Sequence, residues 1–218
     1  MFNNSSAHAL IQWLRSRCFP DPEFPVGEVS SIYYDTWDWR FLHEKVNSDY
    51  LKTKVRVRWY SDINTKEPEN HSYLEAKQKI GGRREKIRVK TEFNGRWLSR
   101  VNLESQELKT IPRLLLSEGV VIQEQLYPVF QISFKRRRFI EPITLSRLCI
   151  DFDIRAPRIN YQMLPFFYPF QLQTAVFELK GKATELPDEL HQLTALGCCK
   201  RSYSKYYACY RKIMQAEF

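Results

Sequence analysis

Alternation of polar and apolar positions dominates the chain from about Val29 onward. Valine, isoleucine, tyrosine and phenylalanine recur at every second position in seven segments, which polar or glycine-containing turns separate. Because successive side chains of a strand point to opposite faces, this period predicts seven β-strands. The segments are VSSIYYDT, KTKVRVRWY, HSYLEAKQK, REKIRVKTEF, PVFQISFKRRRF, RLCIDFDIRA and AVFELKGK.

Helical spacing is confined to the ends of the chain and to two inserts. Apolar residues three and four apart predict a helix from Ala7 to Cys18, which the prolines of FPDPEFP end. The inserts TIPRLLLSEGV and LPDELHQLTALG each carry an early proline and a late glycine, and the tail KRSYSKYYACYRKIM suits a closing helix. No repeat or linker divides the chain. We therefore expect one α+β domain over residues 1–218, built on an antiparallel sheet.

Four of the seven strands carry charge on one face and apolar residues on the other. In KTKVRVRWY, Lys54, Arg56 and Arg58 share one face. The corresponding charged sets of the other three strands are Glu75, Lys77 and Lys79; Arg84, Lys86, Arg88 and Lys90; and Glu178 and Lys180. A solvated face explains any one such strand, but aligned cations on neighbouring strands repel one another. If the strands close into a barrel, the cations line a water-filled tunnel suited to a chain of phosphates, where a carboxylate holds a divalent metal.

The composition of the chain restricts the classes of molecule that we expect it to bind. The formal net charge of +9 favours polyanions, without choosing among nucleic acid, phosphates and anionic surfaces. No apolar stretch is long enough for a membrane span and the N-terminus lacks a signal-peptide core, so we expect a cytoplasmic protein. The seven glycines form neither a Walker loop nor a GxGxxG motif, and the cysteines and histidines lack the spacing of a zinc site.

The order of these segments resembles a known family. With SSIYYDTWDWRFL, KVRVRWY, YLEAKQKIGGRREKIRVKT, FKRRRF, RLCIDFDI, VFELKGK and SYSKYY in sequence, the chain resembles the catalytic domain of the vacuolar transporter chaperone (VTC) family from about Val29 to Tyr207. These are polyphosphate polymerases of the triphosphate tunnel metalloenzyme superfamily. The resemblance implies an antiparallel β-barrel or tunnel with flanking helices. It also implies an enzyme that binds nucleoside triphosphate and a divalent metal, Mn²⁺ or else Mg²⁺, and transfers the terminal phosphoryl group of ATP to a growing polyphosphate chain, with no specific nucleic acid as partner.

The resemblance also assigns roles to individual residues. The expected catalytic clamps on the transferred phosphate are Arg56 and Arg58 in R-x-R-W-Y, Lys77 in the first E-x-K, and Arg136 after the aromatic of its strand. The expected phosphate-binding residues are Lys86, Arg147, Lys180, Ser204 and Lys205, where the register among Arg84, Lys86 and Arg88 stays open. Glu178 is the expected metal ligand, and Glu75, the second carboxylate among the cations, is also expected to hold the metal.

One departure and two alternatives accompany this interpretation. Family members begin with an E-x-K-Y strand before the first helix, and the present sequence begins almost at that helix. Either the true start lies upstream, or the tunnel lacks that strand and its lysine. A triphosphatase or short-chain polyphosphatase of the same fold is one alternative, although its typical E-x-E-x-K strand is not found. The other is a non-catalytic module for RNA or polyphosphate, in which Trp59, Tyr60 and Tyr73 stack on bases. Carboxylates among the cations suit metal binding better than RNA binding.

Overall fold

A computed structural model describes residues 1–166, 168–181 and 187–214. This part of the chain forms an α+β fold around one ten-stranded sheet. The strands are β1 (Phe2–Asn3), β2 (Phe19–Pro20), β3 (Val26–Asp35), β4 (Leu51–Ser61), β5 (Pro68–Ile80), β6 (Arg83–Thr91), β7 (Tyr127–Ile140), β8 (Arg147–Ala156), β9 (Phe170–Gln171) and β10 (Thr174–Lys180). The α-helices are α1 (Ala7–Arg15), α2 (Arg40–Val46), α3 (Gly95–Arg100), α4 (Gln106–Thr110) and α5 (Lys205–Met214).

The long elements match the hydrophobic pattern. All seven predicted strands are confirmed as β3 to β8 and β10, and the first and last predicted helices are confirmed as α1 and α5. The two inserts form 3₁₀ turns at Ile111–Glu118 and Asp188–Leu193 rather than α-helices. Gly119 ends the first of them in the left-handed region, at φ 76°, as a glycine at this position allows. The last residue of AVFELKGK and the first of LPDELHQLTALG lie outside the described residues.

Every strand pairing is antiparallel, and the sheet has the order β1-β10-β8-β7-β3-β4-β5-β6, with β2 beside β7 and β9 beside β8. In the described ranges β6 and β10 form no ladder with each other, so the sheet is strongly curved but open. The predicted closed barrel is therefore not confirmed. Alternation fixes the face to which each side chain points, whereas closure depends on pairing between edges distant in sequence. Charges such as Lys86 and Lys180 beside this gap are typical of strands that stay unpaired.

The apolar faces of the strands pack under helices on the convex side. Val55, Val57 and Trp59, the apolar half of β4, are at most 1% exposed and belong to a cluster with side chains of α3, α4 and the Ile111–Glu118 turn. A second convex cluster joins α1 and the Asp188–Leu193 turn to β7, β8 and β10. The predicted arrangement of β4, with valines and tryptophan outward beneath helices, is confirmed. No helix within the described ranges has the length and hydropathy needed to cross a membrane.

Helix α5 enters the concave side and fills one end of it. Its buried residues pack against the apolar stretch of β7, and Tyr206 stacks on Tyr33 and Phe130 with ring centroids 5.3 and 5.1 Å apart. The Tyr206 hydroxyl donates to Oδ2 of buried Asp35 at 2.7 Å, which also accepts amide hydrogens from the start of α2. Burial raises the pKa of Asp35 to about 6. This carboxyl group ties α2 and α5 to β3.

Candidate anion-binding site

A cavity of about 390 Å³ occupies the concave face beside α5. Six strands and the start of α5 contribute to it, because the curved sheet carries β10 round to face β5 and β6. The lining residues are Tyr33, Lys54, Arg56, Arg58, Glu75, Lys77, Lys86, Arg136, Glu178, Lys180, Tyr203, Ser204 and Lys205. Eight of these side chains are cationic and two are carboxylates. The cavity therefore has a strong excess of positive charge.

The structure brings together ten of the eleven residues predicted from sequence. They are Arg56, Arg58, Glu75, Lys77, Lys86, Arg136, Glu178, Lys180, Ser204 and Lys205. Arg147 is the exception, because it begins β8 as an exposed residue opposite Lys180 in the ladder and does not line the cavity. Lys86, whose register the sequence left open among three basic positions, lines the cavity, while Arg84 and Arg88 do not. These placements locate the residues, and their roles stay predictions.

Glu75 is the centre of one ion-pair network. Both Nε and Nη2 of Arg56 donate to its Oε2, at 2.9 and 2.7 Å, and Lys86 Nζ lies 2.8 Å from Oε1. Arg58 and Arg88 approach at 3.5 and 3.8 Å. Burial by itself would raise the pKa of Glu75, but the cations, Arg58 and Arg56 foremost, hold it well below its usual value. Glu75 therefore stays ionised and fixes the arginines of β4 in place.

Asp151 on β8 is the centre of the other network. It has no solvent exposure, and it lies opposite Arg136 in the β7–β8 ladder. The Arg136 guanidinium donates to both carboxylate oxygens at 2.5 and 2.7 Å, and Lys205 Nζ lies 2.7 Å from Oδ2. Burial opposes ionisation of Asp151, but Lys205 and Arg136 together hold its pKa well below the usual range. One buried carboxylate thus orients two of the predicted phosphate-binding side chains.

Three rows of residues cross β4, β5 and β6 on the concave face. We call Arg56, Glu75 and Arg88 the inner row; Lys54, Lys77 and Lys86 the middle row; and Lys52, Lys79 and Arg84 the outer row. The inner row contains a carboxylate. The middle row contains none, but Lys86 pairs with Glu75 and the charge of Glu178 acts on Lys77. The outer row forms no ion pair with a carboxylate of the described chain. Like charges directly opposite one another destabilise a sheet, so an anion from outside the protein would offset the charges of the middle and outer rows.

Tyr33 and Lys54 join the cavity without having been predicted as site residues. The Tyr33 hydroxyl accepts a hydrogen bond of 3.0 Å from Arg56 Nη1. Burial would raise its pKa, but Arg56, Lys54, Arg58 and Lys205 lower it to about 8. Burial also lowers the pKa of Lys54 to about 8. The sequence showed that Lys54 and Arg56 share one face of their strand, because they are two residues apart. The position of Tyr33 depends instead on the pairing of β3 with β4.

The N-terminus of α5 opens onto the same cavity. Ser204 precedes the helix, its Oγ accepts the Tyr207 amide at 3.4 Å, and Lys54 Nζ lies 3.4 Å from the same oxygen. The amides at the start of a helix carry partial positive charge and favour anions. The ten-residue helix therefore adds to the field of the side chains.

The two carboxylates of the cavity differ in their capacity to hold a cation. Both oxygens of Glu75 are occupied by basic side chains, whereas Glu178 is about half exposed and, among the residues that the structure describes, has only Lys180 within ion-pair distance, at 3.4 Å. Within the described ranges no group of three His, Cys, Asp or Glu residues could hold a metal ion. Mg²⁺ and similar ions bind through one or two carboxylates and substrate phosphates. Glu178 fits that arrangement, and the metal role of Glu75 stays a prediction.

Comparison with known proteins gives one positive finding. No curated protein matches the chain. The family model described as the VTC domain matches residues 11–214, which include every strand and helix that contributes to the cavity. A match over most of the chain establishes the family. The protein belongs to the VTC domain family.

Proposed function

We propose that the cavity binds a nucleoside triphosphate together with the end of a polyphosphate chain, and that it catalyses transfer of the terminal phosphoryl group of ATP to that chain. Membership of the VTC domain family supports a polyphosphate-related function. The observation that supports the finer proposal is the excess of eight cations over two carboxylates in one cavity, where the cations of the middle row face one another. A linear polyanion neutralises such a wall better than an isolated charge does.

Phosphoryl transfer requires little covalent chemistry from the protein. It requires in-line placement of the two oxygens that exchange, and charge to stabilise the three peripheral oxygens of the transferred group. Arg56, Arg58, Lys77 and Arg136 supply that charge in this proposal. Glu75 and Asp151 already hold three of them in fixed orientations, so little reorganisation accompanies the reaction. An oxygen of the chain end bonds to the terminal phosphorus of ATP as the bond to the bridging oxygen breaks, and ADP leaves.

A divalent ion completes the proposed site. Glu178 would hold it, and when bound it would neutralise charge on the phosphate oxygens that it contacts. Lys180 shares the face of Glu178 and is half exposed, so it remains available to the phosphates. The terminal oxygen of polyphosphate is already ionised at neutral pH. No residue of the protein is therefore required to remove a proton from it.

The products formed from ATP test this proposal. Purified protein with ATP, Mn²⁺ and a short polyphosphate primer should form chains longer than the primer, and should release one ADP molecule for each phosphate added to a chain. Glu178→Gln should abolish chain growth and leave the fold intact, because this side chain is about half exposed. Glu67→Gln is the matched control, since its exposed pair with Arg96 lies on the convex side.

Two other outcomes would replace the proposal. Orthophosphate as the only product, with no chain growth at any primer length, would identify a hydrolase of the same family. Binding of RNA or polyphosphate that a chelator does not alter, with no turnover of ATP, would identify a non-catalytic module. The predicted cytoplasmic location stays a prediction.

A further inference from the structure

The outer row lies beyond the main cavity and takes no part in the function proposed above. Lys52 of β4 and Lys79 of β5 are directly opposite each other, and Arg84 of β6 is opposite Lys79. No carboxylate of the described chain pairs with any of the three. Like charges in adjacent ladder positions weaken a sheet by an amount comparable to a good cross-strand pair. This arrangement therefore points to an anion that the row binds.

A second cavity, of about 140 Å³, links this row to the main one. The two cavities share Tyr33, Lys54, Lys77 and Ser204 as lining residues. Lys45 of α2 lines the second cavity together with Lys52 and Lys79, and its Nζ lies 3.5 Å from Ser202 Oγ. A continuous basic surface thus runs from the inner row, through the middle row, to the outer row and Lys45.

The spacing of the rows fits a linear ligand. Neighbouring rows are two residues apart along each strand, a distance of about 6.8 Å. A compact anion that contacts the inner and middle rows leaves the outer row about one further step away. A chain of phosphates that continues in the direction of the strands meets all three rows, and the side chains of lysine adjust to successive oxygens along it.

We propose that Lys45, Lys52, Lys79 and Arg84 form a chain-length subsite, which binds the part of a linear polyphosphate that extends beyond the phosphates in the main cavity. This inference deepens the proposed function and rests on it. The subsite makes affinity grow with chain length and keeps a growing chain attached between transfers. Its ligand is inorganic polyphosphate, in which every phosphorus carries charge close to the next.

Affinities for two lengths of the same polymer test the subsite. The test compares the wild-type protein with Lys52→Ala/Lys79→Ala by calorimetry with tripolyphosphate and with long-chain polyphosphate. The double variant should bind the long chain about tenfold more weakly and tripolyphosphate within about twofold of wild type, since each partly exposed charge contributes modestly. Arg83→Ala/Arg113→Ala is the control, because both arginines are exposed and Arg83 points to the opposite face of β6.

Each other outcome has a definite meaning. The subsite would be overturned if the double variant lost equal affinity for tripolyphosphate and for the long chain, or if the control variant lost as much affinity for the long chain. Either result would indicate a general effect of net charge. An equal tenfold loss for single-stranded RNA of matched charge would overturn its assignment to polyphosphate. Failure of the wild-type protein to bind tripolyphosphate at all would instead overturn the proposed function. Product length gives an independent check, since the double variant should release shorter chains than the wild-type protein.

Discussion

The inner and outer rows occupy the same three strands and differ most at their central position. In the inner row β5 contributes Glu75 between Arg56 and Arg88, and in the outer row it contributes Lys79 between Lys52 and Arg84. A carboxylate at the centre turns its neighbours into a fixed framework, because each arginine gains a partner within the protein. A lysine at the same position leaves every charge available to a ligand. The residue at the centre of each row, glutamate or lysine, therefore determines whether the row belongs to the fixed framework of the site or to its binding surface.

Asp151 repeats the inner arrangement on the other side of the cavity. It orients Arg136 and Lys205 as Glu75 orients Arg56 and Arg58. The comparison predicts that loss of either carboxylate reduces stability, whereas loss of Lys54 and Lys77 from the middle row, or of the lysines of the outer row, reduces binding alone.

The largest expected effect is that of Asp151→Asn. Arg136 and Lys205 would then remain as buried charges without their partner, and the free energy of unfolding should fall by about 3–5 kcal/mol. Urea unfolding measures the change. Asp153→Asn is the matched control, two residues along the same strand, where the carboxylate pairs with half-exposed Lys135. We expect a loss of about 1 kcal/mol or less there. Equal losses in the two variants would contradict the role given to Asp151.

Glu75→Gln should have a smaller effect on stability. Lys86 and Arg88 are 51% and 41% exposed and can turn to solvent, while Arg56 keeps its hydrogen bond to Tyr33 and Arg58 its hydrogen bond to Ser31. We therefore expect a loss of about 2 kcal/mol. Tripolyphosphate should raise the melting temperature of this variant more than that of the wild type, because the anion replaces the missing carboxylate among the arginines. A smaller rise than in the wild type would show that Glu75 does not compete with the ligand for these cations.

Lysines of the middle row should behave in the opposite way. Lys54→Ala with Lys77→Ala removes two cations that face each other across the β4–β5 ladder. The free energy of unfolding should stay constant or rise by up to ~1 kcal/mol, because the repulsion is relieved. Urea unfolding without phosphate in the buffer checks this. A clear loss of stability would place Lys54 and Lys77 in the framework instead.

Binding of tripolyphosphate should weaken above about pH 8. Lys54 loses its positive charge and Tyr33 gains a negative charge as the pH rises through their pKa values, which are both about 8. Both changes make the cavity less positive, so affinity should fall roughly tenfold between pH 7 and pH 9. Titrations of the wild type, Lys54→Gln and Tyr33→Phe separate the two contributions. An affinity that does not change with pH in this range would contradict the placement of both groups against the anion.

The sequence predicted the faces of the strands and most of the cavity. The alternation in β4 placed Arg56 and Arg58 on one face of the sheet and Val55 and Val57 on the other. That division follows from the geometry of any strand. Ten of eleven predicted residues meet in one place because they share the concave face. Arg147 shares that face but lies at its exposed end. Alternation along a strand predicts the face on which a side chain lies, but not its position along the cavity.

What the sequence could not predict depends on pairing between distant strands. Asp151 becomes the partner of Arg136 only through the β7–β8 register, and Tyr33 reaches Arg56 only because β3 pairs with β4. The expected closure of the sheet failed for the same reason, since alternation does not determine which edges meet. Helices α2 and α3 have seven and six residues, too few for a clear helical period.

Calorimetric titration with tripolyphosphate tests the central claim most directly, namely that Lys54 and Lys77 of the middle row bind the anion. The wild-type protein and the Arg83→Ala/Arg113→Ala control should bind within about twofold of each other at moderate salt, since distant exposed charges are screened. Lys54→Ala/Lys77→Ala should bind about a hundredfold more weakly while keeping its stability, because two charged hydrogen bonds are lost. Affinity equal to that of the wild type in this folded variant would contradict the claim.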